Sequence, residues 1–307
     1  MAMVSIVMAT YNGAAYLEEQ IESIVKNTYT DWHLEICDDG STDRTLEIAT
    51  AWQERYPDKI SITVNQENVG VTNNFLEGAK RAKGDYIMFC DQDDVWFPNK
   101  IADTLHFMQE KEQEAESKKP VLVFTDAKLV NAVLQKMGDS FFAYNKLDTT
   151  KIDLQHLLIE NKVIGCTAMF NRALTEKLVV APQQARYHDW WVALIAATFG
   201  QVYYFDQVTM YYRQHGANVV GAQNFVSYVW NKIQHFPDQK ENLIACEKQA
   251  WEFLEIYNGD ILEEQRQIIA DFANLQSVNW IERKDRLFRY GYWKSGKIRN
   301  IGLFLLI

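Results

Sequence analysis

Four times in the first 95 residues, a short apolar run breaks off at a cluster of small polar side chains and a helical pattern or turn follows. Val4 to Ala9 ends at Thr10-Tyr11-Asn12-Gly13, and Leu17, Ile21, Ile24 and Val25 then share one face of a helix over 15–25. Leu34 to Cys37 stops at Asp38-Asp39-Gly40-Ser41, with Ser41 or Thr42 expected to cap a helix running to Trp52. Ile60 to Val64 leads through Asn68-Val69-Gly70 into a helix over 72–82, and Tyr86 to Cys90 ends at Asp91-Gln92-Asp93-Asp94. Strand and helix alternating at this spacing means βαβ units with right-handed crossovers and a parallel sheet. Ligands of such sheets bind beyond the carboxyl ends of the strands, where all four polar clusters fall.

The pattern loosens beyond this. A helix is expected over 99–116, a strand over 121–125, another over 163–170 with a short helix from Arg172, an apolar helix from His188 to Phe199, and strands over 202–205 and 208–212. From about Asn224 onward the chain reads as helical. The expected organisation is therefore a catalytic α/β domain over 1–221, with halves 1–95 and 96–221, and a helical region over 222–307.

A net charge of -10 excludes a general nucleic-acid binder, which needs a basic surface. The charge is uneven, however. Residues 283–299 hold seven basic side chains and one acid, a balance of +6, so the remainder carries -16. That tail interleaves basic and aromatic residues, among them Arg286, Phe288, Arg289, Tyr290, Tyr292, Trp293 and Lys294. It suits an amphipathic element at an anionic bilayer surface. The competing reading is a helix whose aromatics pack on the catalytic domain and whose lysines face water, and a third is that helices over 224–280 pair with another copy as a homodimer. The start, MAMVSIVMATYNG, lacks the basic region of a signal peptide, and no run of ~18 apolar residues marks a spanning helix. Cys37, Cys90, Cys166 and Cys246 form no CxxC pair and read as buried free thiols.

Each polar cluster has a plain reading and a chemical one. Asp91-Gln92-Asp93-Asp94 is a solvated turn, or a set of carboxylates whose mutual repulsion a hard divalent cation relieves. Asp38-Asp39-Gly40-Ser41 is a helix start, or a carboxylate aimed at a base N–H or ribose hydroxyl. Asp189 favours a helix dipole, or is a general base whose affinity for a proton is raised by the neighbouring indoles of Trp190 and Trp191. Arg213-Gln214-His215 is a strand end, or a set that neutralises a leaving diphosphate and ligates metal.

Taken in order, VSIVMATYNGAAYLEEQIESI, CDDGSTDRT, NVGVTNNF and GDYIMFCDQDDVW resemble the inverting family 2 glycosyltransferases of GT-A fold, over about residues 3–215. The finer pattern of CDQDDVW, GCTAMFNR, HDWW and YRQHGANVVG is similar to bacterial rhamnosyltransferases of polysaccharide assembly. Within these it resembles the α-1,3-rhamnosyltransferases that build the rhamnan backbone of streptococcal cell-wall carbohydrate.

The resemblance implies an α/β GT-A fold, a mostly parallel Rossmann-like sheet flanked by helices, with a helical C-terminal extension. It implies a donor site at Thr10, Tyr11, Asn12, Asp38, Asp39, Asn68, Asp91, Gln92 and Arg213. Asp91 and Asp93 match the DxD pair that holds Mg²⁺ or Mn²⁺, and His215 the position that meets metal or diphosphate. Asp189 matches the catalytic base, and Gly165, Cys166, Thr167 and Trp190 the acceptor-lining segment. Many relatives carry Arg where this chain has Asn73, which shifts phosphate neutralisation to the metal, Arg213 and His215.

The implied donor is dTDP-L-rhamnose, and the acceptor a polyprenyl-diphosphate-linked saccharide at the inner face of the cell membrane. A UDP-hexose or UDP-N-acetylhexosamine donor fits the same motifs, because uracil and thymine present the same edge. A metal-dependent nucleotidyltransferase would carry a basic phosphate loop where Thr10-Tyr11-Asn12-Gly13 stands, and a non-catalytic nucleotide-sugar-binding partner would show no turnover.

Overall fold

The computed structural model describes residues 2–114, 119–215 and 236–307. The expected domain boundary near Gly221 lies outside the described residues.

The N-terminal elements are β1 (Val4–Thr10), α1 (Leu17–Val25), β2 (Trp32–Asp38), α2 (Thr45–Arg55), β3 (Ile60–Val64), α3 (Val71–Arg81) and β4 (Tyr86–Cys90). β1 pairs in parallel with β2 and β4, and β2 with β3. β4 is buried along its whole length because helices cover both faces of the sheet, so its sequence is a continuous apolar run rather than an alternating one. Each such side chain taken from water stabilises the fold by ~1.5–3 kcal/mol. Register then makes the edge. Thr10 lies opposite Asp38, and Met8 opposite Cys90, so the chain turns into all these loops on one side.

The second half differs from a mostly parallel sheet. The remaining strands are β5 (Val95–Trp96), β6 (Val121–Asn131), β7 (Lys136–Gly138), β8 (Ala168–Asn171) and β9 (Gln201–Gln214). The nine-stranded order is β3-β2-β1-β4-β8-β6-β9-β5, with β7 beside β6. β8 runs antiparallel to both β4 and β6, and β5 antiparallel to β9, whereas β6 and β9 are parallel. The strand expected over 163–170 is shorter, because Gly165–Thr167 winds into a 3₁₀ turn first. The two strands expected over 202–212 are one, and its register with β6 slips near Asp126. Such an irregularity bends a strand and re-aims its end.

The helices of this half are α4 (Lys100–Glu114), α5 (Phe141–Asn145), α6 (Leu154–Ile159), α7 (Arg172–Thr175) and α8 (His188–Phe199). α8 is apolar on every side and buries nine of its residues, which marks a helix inside the molecule. After it come α9 (Phe236–Tyr257), α10 (Glu263–Ala273), α11 (Trp280–Tyr290) and α12 (Lys297–Leu306). They pack on the sheet domain. Phe253 meets Trp191 edge-on at 5.3 Å, and the Tyr257 hydroxyl donates to the Lys177 carbonyl at 2.8 Å. Among the described residues no helix is long and apolar enough to cross a membrane. All four cysteines are buried and unpaired with one another.

Candidate active site

The loops after β1, β2, β3 and β4 are stitched together by their own polar side chains. Asp38 is buried and accepts from the Thr10 hydroxyl at 2.8 Å, the Ser41 hydroxyl at 2.6 Å, and the Ser41 and Gly40 amides. Ser41 therefore closes the β2 loop on Asp38 instead of capping α2, whose first amide is met by Asp43 at 3.0 Å. Asp39, also buried, accepts from Val69 and Gly70 amides at 2.8 and 2.9 Å, and Asn68 donates back to the Asp39 carbonyl. Asn12 adopts the left-handed conformation (φ 49°), takes the Thr42 amide on its side chain, and donates its own amide to Ser41.

Gln92 spans from the fourth loop to the first, accepting from the Tyr11 amide and donating to the Tyr11 carbonyl. Its amide fills the space where a Gly13 Cβ would stand. Of the expected donor-binding side chains, Thr10, Asp38 and Asp39 thus hold the loops in place, while the Tyr11 ring stands 52% exposed over this floor.

Past the floor lies the acidic cluster. Oxygens of Asp91 and Asp94 and the Cys166 sulfur lie within 4.8 Å of one another. Burial, reinforced by the Asp93 charge, raises the Asp91 carboxyl, and burial with the Asp93 and Asp91 charges raises Asp94 well above its ordinary value. Asp94 accepts the Arg213 amide on one oxygen, and its other oxygen is buried without a partner. Asp93 meets the His215 imidazole at 2.7 Å, and that ring stacks on Tyr16 with centroids 4.7 Å apart. The Arg213 guanidinium is buried, donates to the Asp93 and Ala132 carbonyls, and pairs with Glu19. It braces the cluster from behind. Lys100, fully buried and lowered to about 8 by that burial, feels the charge of Asp94 from below.

Asp189 opens α8 beside this cluster and its charge reaches Asp91. One carboxylate oxygen accepts from Asn161 at 2.9 Å and from the Trp190 amide, and the other accepts from the Gly165 amide at 3.0 Å. Burial raises this carboxyl to about 6 against the pull of those donors. Gly165 is small by necessity, since a Cβ there would lie 2.5 Å from His188 Nε2. His188 is a core ring, stacked on Phe75 at 3.9 Å with both nitrogens unpartnered, and burial lowers it to about 3.

Two expected acceptor residues turn away. Trp190 is 5% exposed, with its indole N–H on the Leu157 carbonyl, and Thr167 is buried with its hydroxyl on the Ile164 carbonyl. Helix geometry points Trp190 inward once Asp189 faces out. Asn161 lies in no motif, and Tyr16 and Glu19, within the first motif run, are not among the expected site residues. They join the site only when the segment after α6 meets the start of α8, and the start of α1 meets the end of β9.

The donor set suits a hard divalent cation. Asp91 and Asp94 bring oxygens within 4.8 Å of one another, Asp94 keeps an orphaned buried oxygen, and Asp93 adjoins the His215 imidazole, a crowding of carboxyls that such a cation relieves. The Cys166 thiol is raised well above its ordinary value by burial, so it stays protonated and is a poor ligand for such an ion.

Known proteins bear on this geometry. The family model described as Glycosyl transferase family 2 matches residues 5–179. The dTDP-rhamnosyl transferase RfbG of Shigella flexneri is 33% identical over 228 residues, covering 70% of this chain and 74% of that protein. The crystal structure of S. aureus TarS 1–349 with UDP-GlcNAc superposes with a TM-score of 0.59 at 18% identity, covering 94% of this chain and 80% of that one. The mannosyltransferase PcManGT of Pyrobaculum calidifontis, in complex with GDP-Man and Mn²⁺, does so with a TM-score of 0.56 at 18% identity, over 99% and 79%. These two likenesses establish the GT-A-like fold. With more than half its length matched by the family model and a relative one-third identical over most of both chains, this chain belongs to glycosyl transferase family 2.

Proposed function

We propose that the protein transfers L-rhamnose from dTDP-β-L-rhamnose to a hydroxyl of a lipid-linked saccharide, inverting the anomeric centre to give an α-rhamnoside of a cell-wall polysaccharide. The observation that carries the reaction type is Asp189, a carboxylate of raised basicity held by three N–H donors beside the acidic cluster. The rhamnosyl assignment rests on the likeness to the Shigella flexneri enzyme. An α-1,3 linkage in a rhamnan backbone is the finer form of the same reading.

In this reading Asp189 removes the proton from the acceptor hydroxyl as that oxygen attacks from the face opposite the diphosphate. The three donors fix which lone pair of the carboxylate faces the acceptor. Tyr11, exposed above the Asp38 loop, offers its ring to the pyrimidine base, with Asn12 and Asn68 at the rim. Asp91 and Asp93, with His215, would hold Mg²⁺ or Mn²⁺, whose charge stabilises a diphosphate leaving group. Gly165 and Cys166 form the wall between Asp189 and the acids. The enzyme then works from the cytoplasmic side, peripheral to the membrane that holds its acceptor.

A donor panel tests this. The protein is incubated with Mg²⁺ or Mn²⁺, a polyprenyl-diphosphate saccharide, and each of dTDP-rhamnose and the common UDP-sugars, and products are weighed by mass spectrometry. The expected outcome is one added deoxyhexose from dTDP-rhamnose alone, abolished by EDTA and restored by the ion. Addition from a UDP-sugar instead would keep the mechanism and refute the rhamnosyl assignment. That second reading draws on the fold shared with the UDP-GlcNAc-bound neighbour.

A further inference from the structure

The basic-aromatic tail splits in two when it folds. One set faces inward. Tyr292 is fully buried with its hydroxyl on the Ile268 carbonyl, Tyr290 donates to Asp271, and Arg286 pairs with Asp271 and Glu282. Arg299 and Ser295 both reach Glu160, so the tail is pinned to the sheet domain.

The other set faces out. Trp280, Ile281 and Phe288 on α11 and Ile301, Phe304 and Leu305 on α12 are exposed, and Phe288 and Phe304 approach to 6.2 Å across the two helices. The Lys284 ammonium lies between them, 3.8 Å from the Phe304 ring centre and 5.8 Å from that of Trp280. A contiguous patch of large apolar side chains on a protein surface marks a binding face.

Its surroundings identify the occupant. Residues 280–307 hold seven basic and two acidic side chains, a balance of +5 in a chain of -10. The acids are engaged locally, Asp285 with Arg289 and Glu282 with Arg286. Lys297 stands exposed one turn before Ile301 on the same face of α12. Apolar and aromatic side chains with lysines among them, set on two short helices neither of which can cross a bilayer, are the composition of an interfacial surface. A second copy of a chain so acidic elsewhere would meet the same positive patch face to face, and like charges oppose that.

We infer that the outer face of α11 and α12 docks on an anionic lipid bilayer, with Trp280, Phe288, Ile301 and Leu305 entering the headgroup boundary and Lys284 and Lys297 meeting lipid phosphates. This goes beyond the donor assignment and does not depend on it. Because the same segment is clamped to Glu160, the neighbour of Asn161, docking also sets how the Asp189 side of the cleft faces the membrane.

The test is co-sedimentation of the full chain with vesicles of phosphatidylcholine alone or mixed with phosphatidylglycerol, at low and high salt. Wild-type protein is expected to pellet with the mixed vesicles, less so at high salt. Ile301→Glu with Leu305→Glu is expected to reduce the bound fraction at least about tenfold, since each inserts a charge where apolar contact is needed. These side chains are 62% and 69% exposed, so the fold should stand, checked by an unchanged melting temperature. Trp280→Ser provides a second, milder variant. Equal pelleting by wild type and variants, or none by either, would overturn the inference. So would a wild-type dimer in light scattering that the double variant converts to a monomer without any vesicle binding. A failed donor panel with intact vesicle binding would refute only the rhamnosyl reading.

Discussion

Two opposing influences act on the Asp189 carboxyl: burial raises it, and hydrogen bonds from Trp190, Gly165 and Asn161 draw it back to about 6. A base must be ionised to accept a proton, so kcat/KM is expected to fall as pH drops through about 6 and to level off above it. Asn161→Ala removes one donor from the charged form. The acid limb of the pH–rate profile should then move to higher pH, which a merely structural loss would not do. Asp189→Asn keeps the shape and abolishes the basicity. It should lower kcat by about 10²–10⁴-fold. Donor affinity by calorimetry should stay near wild type, because Asp189 bonds to Asn161, Gly165 and Trp190 rather than to the loops after β1, β2 and β3; wild-type turnover would remove Asp189 from this role.

Among elements, the join between the 165–167 turn and α8 decides the site's geometry. The Gly165 amide reaches Asp189 only because no Cβ intervenes against His188. His188 cannot yield, being stacked on Phe75 and set edge-on to Phe89 at 4.9 Å. Gly165→Ala should therefore cost about 1–3 kcal/mol in chemical denaturation, as overpacking does. It should also lower kcat, as α8 backs away from the turn. Gly259→Ala, where an added Cβ meets nothing within 4 Å, is the control and should change neither. The parallel elements were legible because each βα unit carries its own signals over ~30 residues. The turn was not, since Val163 to Phe170 is apolar but for Gly165 and Thr167, and period alone does not separate a strand from a buried turn.

For the molecule as a whole, the helical region is coupled to pH through Glu247. This carboxyl is buried with one oxygen unpartnered, and burial raises it from 4.5 to about 8. The folded chain therefore holds a proton that the unfolded chain releases, and stability at this position declines as pH rises from 4.5 to about 8. Glu247→Gln should raise the melting temperature, with a larger gain at pH 8.5 than at pH 6, and the reverse order would contradict the assignment. The C-terminal helices also meet the sheet domain through Ser295 and Arg299 on Glu160, and through Arg186 on Asn242. One packed body therefore carries both the catalytic edge and the outward apolar face.

The sequence by itself determined the parallel half of the sheet and the polar edge at its carboxyl ends, and it singled out Asp91, Asp93, Asp189 and His215, which the fold brings near one another. Strand period, polar loop clusters and a helix opening on Asp189 are local properties, written within a few residues of each. Only the tertiary structure decided the rest. It reversed β8 between β4 and β6, and it tied Asp38 and Asp39 into hydrogen bonds with the neighbouring loops. It brought Asn161 to Asp189 across 28 residues of chain, sent Trp190 inward, and divided one basic-aromatic tail into a buried clamp and an exposed face. These outcomes depend on which surfaces remain uncovered once distant elements have packed, and no window of sequence contains that information.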